Sequence, residues 1–275
     1  MSVFTTTDGK CIYFEDTGAG TPVLCLSGLT RNSGDFTYVA PHLSDVRVIS
    51  MDSRGRGRSD YDPDYMNYNI LREAQDAVEL MDHLDVRQAM ILGTSRGGML
   101  AMALATRAPE RLTGVVLNDV GPVIEPSGIQ RIMDYVGIPP SWQTYGEAAA
   151  GLKSAMESRF PSVPLQVWHQ QARIQYVEEA NGLNLRYDPA LRTALLEQSA
   201  SGVVPDLWSY FDALRDIPTG LLRGANSDIL SRATVDEMQA RHPDLVFAEV
   251  PDRGHVPFLN EPQSLDVIRK VLAAT

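Results

Sequence analysis

The stretch that decides the fold runs Ile91-Leu92-Gly93-Thr94-Ser95-Arg96-Gly97-Gly98-Met99-Leu100. The residues from Val86 to Leu92 are typical of a short buried strand, and those from Gly97 to Ala108 predict a helix rich in Ala, Met and Leu. Ser95 therefore lies on the turn between them, in a Gly-x-Ser-x-Gly pattern. The turn is so tight that a side chain would not fit two residues before or two residues after the serine, which explains the glycines at both positions.

The place of Ser95 in this turn suggests a chemical role. Its hydroxyl would emerge at the carboxyl end of the strand, over the first turn of the helix, where free backbone NH groups and the helix dipole favour a developing negative charge. A serine held this way is typical of a catalytic nucleophile. The alternative is a glycine-rich helix start with an incidental serine, and residues elsewhere in the chain must decide between them.

Strands and helices alternate on both sides of this turn. The chain begins with an antiparallel pair around Asp8-Gly9, a strong hairpin signal. Further strands are predicted at Pro22–Leu26, Arg47–Met51, Leu112–Asn118, Thr219–Arg223 and Leu245–Val250, and helices after Gly34 to about Leu43, over Tyr68–Leu84, Thr234–Ala240 and Glu261–Ala273. This alternation predicts the α/β class, with a mostly parallel central sheet flanked by helices.

The alternation stops between residues 124 and 214. Helical patterns at 127–137, 145–158, 164–179 and 189–199 occur there without a convincing buried strand. We therefore predict a core domain formed by residues 1–123 and 215–275, with a helical cap inserted at 124–214. The insertion holds Trp142, Trp168 and Trp208, which could line a substrate pocket or pack within the insertion, and packing is favoured for any single one.

Composition excludes several classes of protein. The 275 residues carry 24 Lys and Arg against 35 Asp and Glu, a net charge of -11, which repels nucleic acids and anionic membrane surfaces. No basic and apolar leader and no apolar run near 20 residues is found, so we expect a cytoplasmic protein without a membrane partner. Cys11 and Cys25 lie in apolar stretches and are interpreted as small buried residues.

The loop from Asp52 to Asp60 contains three arginines with interleaved glycines. Such a loop could cradle phosphate, but no lysine follows at the spacing of a P-loop, and acidic residues flank the run. A tight structural loop with salt-bridged arginines is therefore favoured for Arg54, Arg56 and Arg58.

A serine nucleophile needs a base to take its proton and a carboxylate to orient that base. His42, His83 and His242 lie in or at the ends of helices beside charged residues, as surface histidines do, and packing explains His169. His255 instead follows a predicted strand in a glycine-containing loop, at the edge where Ser95 emerges. Asp228 follows another strand at that edge, giving the order Ser95, Asp228, His255.

Four segments together resemble the α/β-hydrolase-fold enzymes with a helical cap. They are Gly93-Thr94-Ser95-Arg96-Gly97-Gly98, Asp52-Ser53-Arg54-Gly55-Arg56-Gly57-Arg58-Ser59, Gly224-Ala225-Asn226-Ser227-Asp228, and Gly254-His255-Val256-Pro257 with Glu261-Pro262. The resemblance implies that Ser95 is the nucleophile, His255 the general base and Asp228 the orienting carboxylate. Asp119 is a rival acid, because it also follows a strand and some members of the family place the carboxylate there.

The same resemblance implies an oxyanion hole formed by the backbone NH groups of Leu29 and Arg96. One departure is Ser27-Gly28, where many relatives have His-Gly. No metal or organic cofactor is required for such a site.

The function expected is hydrolysis of a small or medium carboxylic ester through an acyl-enzyme on Ser95. The alternatives are a lactone hydrolase, a carbon–carbon bond hydrolase or a perhydrolase with the same triad, and a hydrolase-fold receptor that senses its ligand. Related lactone hydrolases and carbon–carbon bond hydrolases take anionic substrates. A cap arginine facing Ser95, such as Arg131, Arg173 or Arg186, would therefore favour one of these two activities. The oligomeric state is open, with a homodimer among the options.

Overall fold

The computed structural model describes residues 2–200 and 206–275, and its centre is an eight-stranded sheet. Its strands are β1 Ser2–Thr5, β2 Cys11–Gly18, β3 Pro22–Leu26, β4 Arg47–Met51, β5 Ala89–Thr94, β6 Leu112–Asn118, β9 Thr219–Gly224 and β10 Val246–Val250, while β7 Tyr176–Glu179 and β8 Gly182–Leu185 form a separate hairpin. The order across the sheet is β1-β2-β4-β3-β5-β6-β9-β10, with β1 antiparallel to β2, β2 antiparallel to β4 and the remaining neighbours parallel. The predicted fold class is confirmed.

Helices cover both faces of the sheet. Their bounds are α1 Ile70–His83, α2 Arg96–Arg107, α3 Pro126–Tyr135, α4 Tyr145–Met156, α5 Leu165–Gln175, α6 Leu191–Ala200, α7 Leu207–Asp212, α8 Arg232–Arg241 and α9 Pro262–Ala273. The helix expected before Leu43 is instead two short 3-10 turns, Ser33–Thr37 and Ala40–His42. Pro41 has no amide hydrogen to bond four residues back, so a continuous helix is not formed there.

Neighbouring side chains of each buried strand point to opposite faces, which builds two cores. In β3, Leu24 and Leu26 pack on the face covered by α1 and α2, whereas Val23 and Cys25 pack on the face covered by α9. Because β5, β6 and β9 are parallel neighbours, their carboxyl ends lie side by side at one edge of the sheet. Loops that follow these three strands are thereby brought together.

The segment between β6 and β9 contains α3 to α6, as the helical patterns predict, but it also contains a short helix, α7, and a hairpin that the prediction missed. The helix expected over 164–179 ends at Gln175, and β7 (Tyr176–Glu179) pairs with β8 (Gly182–Leu185). Asn181-Gly182 is a hairpin signal, with Gly182 at a φ of 116°. No residue of β7 is buried, and β8 buries only Leu183 and Leu185, so neither strand is a continuous apolar run. Residues 201–205 of the predicted cap lie outside the described residues, and the division into core and cap stays a prediction.

Two residues differ in burial from the sequence interpretation. Cys11 is exposed in β2, whereas Cys25 is buried as expected, and neither forms a disulfide. His242 is only 3% exposed, and its Nε2 atom lies 3.1 Å from the carbonyl oxygen of Leu214. His42 and His83 are exposed, as expected. Over residues 2–200 and 206–275, no helix combines the length and apolar character needed to cross a bilayer.

Candidate active site

Ser95 lies on the turn between β5 and α2 in a backbone conformation that residues other than glycine rarely adopt, with φ 51° and ψ -115°. The flanking glycines make this turn feasible. A Cβ atom on Gly93 would lie 2.5 Å from the carbonyl oxygen of Gly97, and one on Gly97 would collide with the carbonyl oxygen of Leu26. Both neighbours are backbone atoms that cannot rotate away. The residue pattern therefore produces the predicted strand-turn-helix geometry.

A continuous chain of hydrogen bonds starts at the Ser95 hydroxyl. Ser95 Oγ lies 2.8 Å from His255 Nε2, and His255 Nδ1 lies 2.7 Å from Asp119 Oδ2. The carboxylate side chain is fully buried, whereas the imidazole is 17% exposed. An imidazole bridging a hydroxyl and a buried carboxylate has the arrangement needed to take a proton from the hydroxyl and to hold the resulting positive charge.

Three donors fix the carboxylate of Asp119. The backbone NH of Gly224 donates to Oδ1 at 2.8 Å, and the Ser227 hydroxyl donates to Oδ2 at 2.7 Å, beside His255. Asp119 itself follows β6 with a φ of 57°. Sequence reasoning missed the contribution of Ser227, whose position in the loop after β9 was its only signal.

The structure does not bring Asp228 to His255, which corrects the expected pairing. Its carboxylate forms ion pairs with Arg131 of α3 and, at 3.6 Å, with Arg159. The physical reason is the strand order: β6 lies between β5 and β9, so the loop after β6 is next to the nucleophile turn. The loop after β9 contributes Ser227 to this cluster, while Asp228 turns toward the insertion.

Asn118, the last residue of β6, connects the nucleophile turn to the histidine loop and was also missed. Its backbone carbonyl accepts from Ser95 NH at 3.0 Å, and its side-chain amide donates to the carbonyl of Pro257 at 3.1 Å. Asn118 is fully buried. A buried Asn at a strand end was the available signal, because such a group must find hydrogen-bond partners.

Leu29 and Arg96 border Ser95 from two sides. Arg96 is the first residue of α2, and a Cβ atom on Gly28 would lie 3.7 Å from Ser95 Cβ, so the Gly28–Leu29 peptide passes close to the serine. Within the described residues, neither backbone NH donates a hydrogen bond to the protein. Both groups are thus available to an acceptor, and their role as an oxyanion hole stays a prediction.

The arginine loop is held by ion pairs, as the sequence interpretation favoured. Arg54 pairs with Asp62 and Asp76 at 2.7 Å each and with Asp8 at 2.9 Å. Arg56 pairs with Glu73 at 3.0 Å, and its Nε atom donates to the Leu29 carbonyl at 2.8 Å. The loop therefore supports the backbone beside Ser95.

The three tryptophans occupy different surroundings. Trp168 is buried, with its ring centroid 6.3 Å from that of Phe258, three residues after His255. Trp142 packs edge-on against Tyr176. Trp208 lies beside Phe211 and under the Arg241 guanidinium. All three have packing partners, as favoured from sequence, and a role in substrate binding stays a prediction.

The three insertion arginines singled out from the sequence each have a partner within the chain. Arg131 pairs with Asp228, and Arg173 lies 4.6 Å from the centroid of the Tyr145 ring. Arg186 donates to the carbonyl oxygens of Tyr176 and Arg173. All three therefore contact other groups of the insertion or of the loop after β9, and among the described residues only Arg131 of the three is paired with a carboxylate.

The chain is similar to known proteins in both sequence and fold. Residues 21–262 match the family described as alpha/beta hydrolase fold. A 3-hydroxybutyrate-oligomer hydrolase of Cupriavidus necator is 37% identical over 254 residues, which is 89% of this chain and 86% of that enzyme. A 2-(acetamidomethylene)succinate hydrolase of Mesorhizobium japonicum is 28% identical over 89% of this chain and 84% of that protein. The crystal structure of an alpha/beta hydrolase from Novosphingobium aromaticivorans superposes with a TM-score of 0.91 at 36% identity, covering 100% of this chain and 98% of that one.

Proposed function

Because the chain belongs to the α/β-hydrolase fold family, we propose that it is a serine hydrolase that cleaves carboxylic esters through an acyl-enzyme on Ser95. The observation that carries the proposal is the hydrogen-bonded series Ser95, His255 and Asp119. Three groups of the required types, from three separate loops, meet at one edge of the sheet.

In the proposed reaction, the Ser95 oxygen attacks the ester carbonyl carbon while its proton passes to His255 Nε2. The carbonyl oxygen becomes an oxyanion, which the NH groups of Leu29 and Arg96 stabilise. His255 then gives the proton to the leaving alcohol, and the carbonyl re-forms as the acyl-enzyme. Water, activated by the same imidazole, releases the acid and restores the serine, while Asp119 orients the imidazole and stabilises its charged form.

We propose a short ester of a hydroxy acid as the substrate class. The support is the 37% identity over most of the chain to the 3-hydroxybutyrate-oligomer hydrolase. Such an oligomer is itself a carboxylic ester, and its hydrolysis needs nothing beyond the three residues above and two NH donors. The substrate would be a small molecule, not a nucleic acid or a membrane.

Hydrolysis of a lactone or of another carbonyl substrate is the second candidate, because the 2-(acetamidomethylene)succinate hydrolase also matches most of the chain. An anionic substrate would call for a free insertion arginine. Arg131, Arg173 and Arg186 all have partners, but the linear dimer of 3-hydroxybutyrate also ends in a carboxylate, so turnover of that dimer against a lactone is what distinguishes the two candidates. A ligand-sensing receptor differs from both by single or very slow turnover.

The test combines covalent labelling with turnover. Wild-type protein and Ser95→Ala are exposed to a fluorophosphonate and measured by intact mass, beside hydrolysis of p-nitrophenyl acyl esters and of the linear dimer of 3-hydroxybutyrate. One adduct and multiple turnovers, both lost in Ser95→Ala, support the proposal. Folded wild-type protein that forms no adduct and turns over no ester overturns it.

A further inference from the structure

We propose that Glu73 is a positioning residue, whose single carboxylate holds both residues that supply the oxyanion-binding NH groups. This inference rests on the proposed function. Glu73 lies on α1, outside the hydrogen-bonded series of Ser95, His255 and Asp119, and touches no reacting atom. Its effect on the reaction would pass through Arg96 on one side and through Arg56 to Leu29 on the other.

The connection to Arg96 is bidentate. The guanidinium donates from Nε to Glu73 Oε2 at 2.9 Å and from Nη2 to Oε1 at 2.7 Å. Nη2 also donates to the backbone carbonyl of Tyr68 at 3.1 Å. Because Arg96 is the residue after Ser95, this planar pair fixes the side chain at the first position of α2. Two parallel charge-assisted bonds define both distance and orientation.

The connection to Leu29 passes through Arg56. Nη1 of Arg56 donates to Glu73 Oε1 at 3.0 Å, and Nε donates to the Leu29 carbonyl at 2.8 Å. That carbonyl belongs to the peptide adjoining the Gly28–Leu29 amide. Glu73 Oε1 therefore accepts from both guanidinium groups, and one oxygen atom links the two sides of the proposed oxyanion hole.

Because Glu73, Arg56 and Arg96 are buried, the ion pairs between them hold the three side chains in place, and breaking one pair leaves a buried charge without its partner. Glu73 is fully buried, and Arg56 and Arg96 are 1% and 8% exposed. Burial acts to raise the pKa of Glu73, but the two guanidinium groups outweigh it, and the pKa of the carboxyl lies below its usual value. The carboxylate is consequently charged at neutral pH. A buried ion cluster is weak evidence for a purely stabilising role, because apolar residues often fill such space as well.

The net charge of Glu73, Arg56 and Arg96 makes it possible to distinguish a positioning role of Glu73 from a purely electrostatic one. One carboxylate between two guanidinium groups leaves a surplus of one positive charge beneath the oxyanion site. Glu73→Gln raises this surplus to two and removes an acceptor for Arg96. If only the positive field mattered, the variant would keep or raise kcat, whereas loss of positioning lowers it.

The experiment compares Glu73→Gln with Glu79→Gln. Glu79 is the matched control: it lies six residues on in α1, is also buried, and pairs with Arg72 and Thr7 rather than with the arginine loop or Arg96. For both variants we would measure the melting temperature, kcat and KM with a p-nitrophenyl ester, and the Ki of a trifluoromethyl ketone, whose adduct with serine carries an oxyanion.

For Glu73→Gln we expect kcat to fall about 10- to 100-fold, less than the roughly 100- to 1000-fold effect of deleting an oxyanion donor outright. KM should change little, and the Ki should rise in step with the loss of kcat/KM. Glu79→Gln should lose thermal stability but keep kcat and Ki. Equal kinetics in the two variants, or an unchanged Ki in Glu73→Gln, would overturn the inference.

A second variant covers failure of Glu73→Gln to fold. Arg56→Lys keeps the charge, but a single ammonium group cannot replace the separate Nε and Nη1 contacts, so the same rise in Ki is expected on a smaller scale. Wild-type protein that lacks Ser95-dependent turnover overturns the proposed function and this inference with it. If wild-type protein shows normal Ser95-dependent turnover and the Ki is unchanged in Glu73→Gln and in Arg56→Lys, only the role of Glu73 is overturned.

Discussion

His255 Nδ1 lies 2.7 Å from Asp119 Oδ2, at the end of β6, while Asp228 in the loop after β9 pairs with Arg131 of the insertion. The two aspartates therefore have different partners, although both follow strands at the same edge of the sheet. One is buried among hydrogen-bond donors, and the other is 17% exposed between two guanidinium groups.

The first prediction concerns these two aspartates. Asp119→Asn should lower kcat by up to about 10,000-fold, because an amide cannot orient and charge-stabilise the imidazole as a carboxylate does. Asp228→Asn should leave kcat within a few-fold of wild type. Steady-state kinetics with a p-nitrophenyl ester, with Ser95→Ala as the baseline, would measure both. A large loss of kcat in Asp228→Asn with little loss in Asp119→Asn would contradict the assignment.

Ser95, His255 and the sheet that carries them could be predicted from sequence because their signals are local. Gly93 and Gly97 are required by the turn itself, and the strand-turn-helix pattern surrounds them within a few residues. The choice between Asp119 and Asp228 could not be made this way. Both follow a strand, and only the spatial order β5-β6-β9 shows which strand end adjoins the nucleophile turn.

The contacts of Glu73 and Asn118 could not be predicted from the sequence, for a different reason. Glu73 precedes Ala77 by four residues and so shares its buried face of α1, but on its own it looks like one charge among several in an amphipathic helix. Its partners Arg56 and Arg96 are 17 and 23 residues away along the chain. Such long-range polar contacts leave no periodic signal, and they become visible only when the elements are packed.

The second prediction tests the glycine at the nucleophile turn. Gly97→Ala should abolish soluble, active protein or lower the unfolding free energy by several kcal/mol, because the new Cβ would collide with the backbone carbonyl of Leu26. Gly9→Ala is the control: no atom lies within 4 Å of its added Cβ, although its φ is 83°. It should cost about 1 kcal/mol from backbone strain alone. Urea unfolding would measure both, and equal losses would refute the steric argument.

The third prediction concerns the two thiols. Cys11 is exposed and should react with a disulfide reagent in the native protein, giving one equivalent. Burial raises the pKa of the Cys25 thiol to about 12, so it should stay unreactive at pH 8 until the protein unfolds. Thiol titration before and after addition of guanidinium chloride, with Cys11→Ser as the control, would count them. Two equivalents released from the native protein would contradict the buried position of Cys25.

The last prediction contrasts a buried ion cluster with a surface ion pair. Arg54 is fully buried and pairs with Asp62 and Asp76, so Arg54→Ala removes the buried cation that these two carboxylates share, leaving only Arg72 beside Asp76 and Lys10 beside Asp62, and should cost about 3–5 kcal/mol of unfolding free energy. Arg47 pairs with Asp16 at 2.7 Å, but both side chains are about a quarter exposed, at 27% and 24%. Arg47→Ala should therefore cost no more than about 1 kcal/mol. Urea denaturation at two ionic strengths would separate them, because salt screens the surface pair and leaves the buried cluster nearly unaffected. Similar losses for the two variants would mean that the arginine loop is not held by its charges, and the support it gives to the backbone at Leu29 would have to come from packing instead.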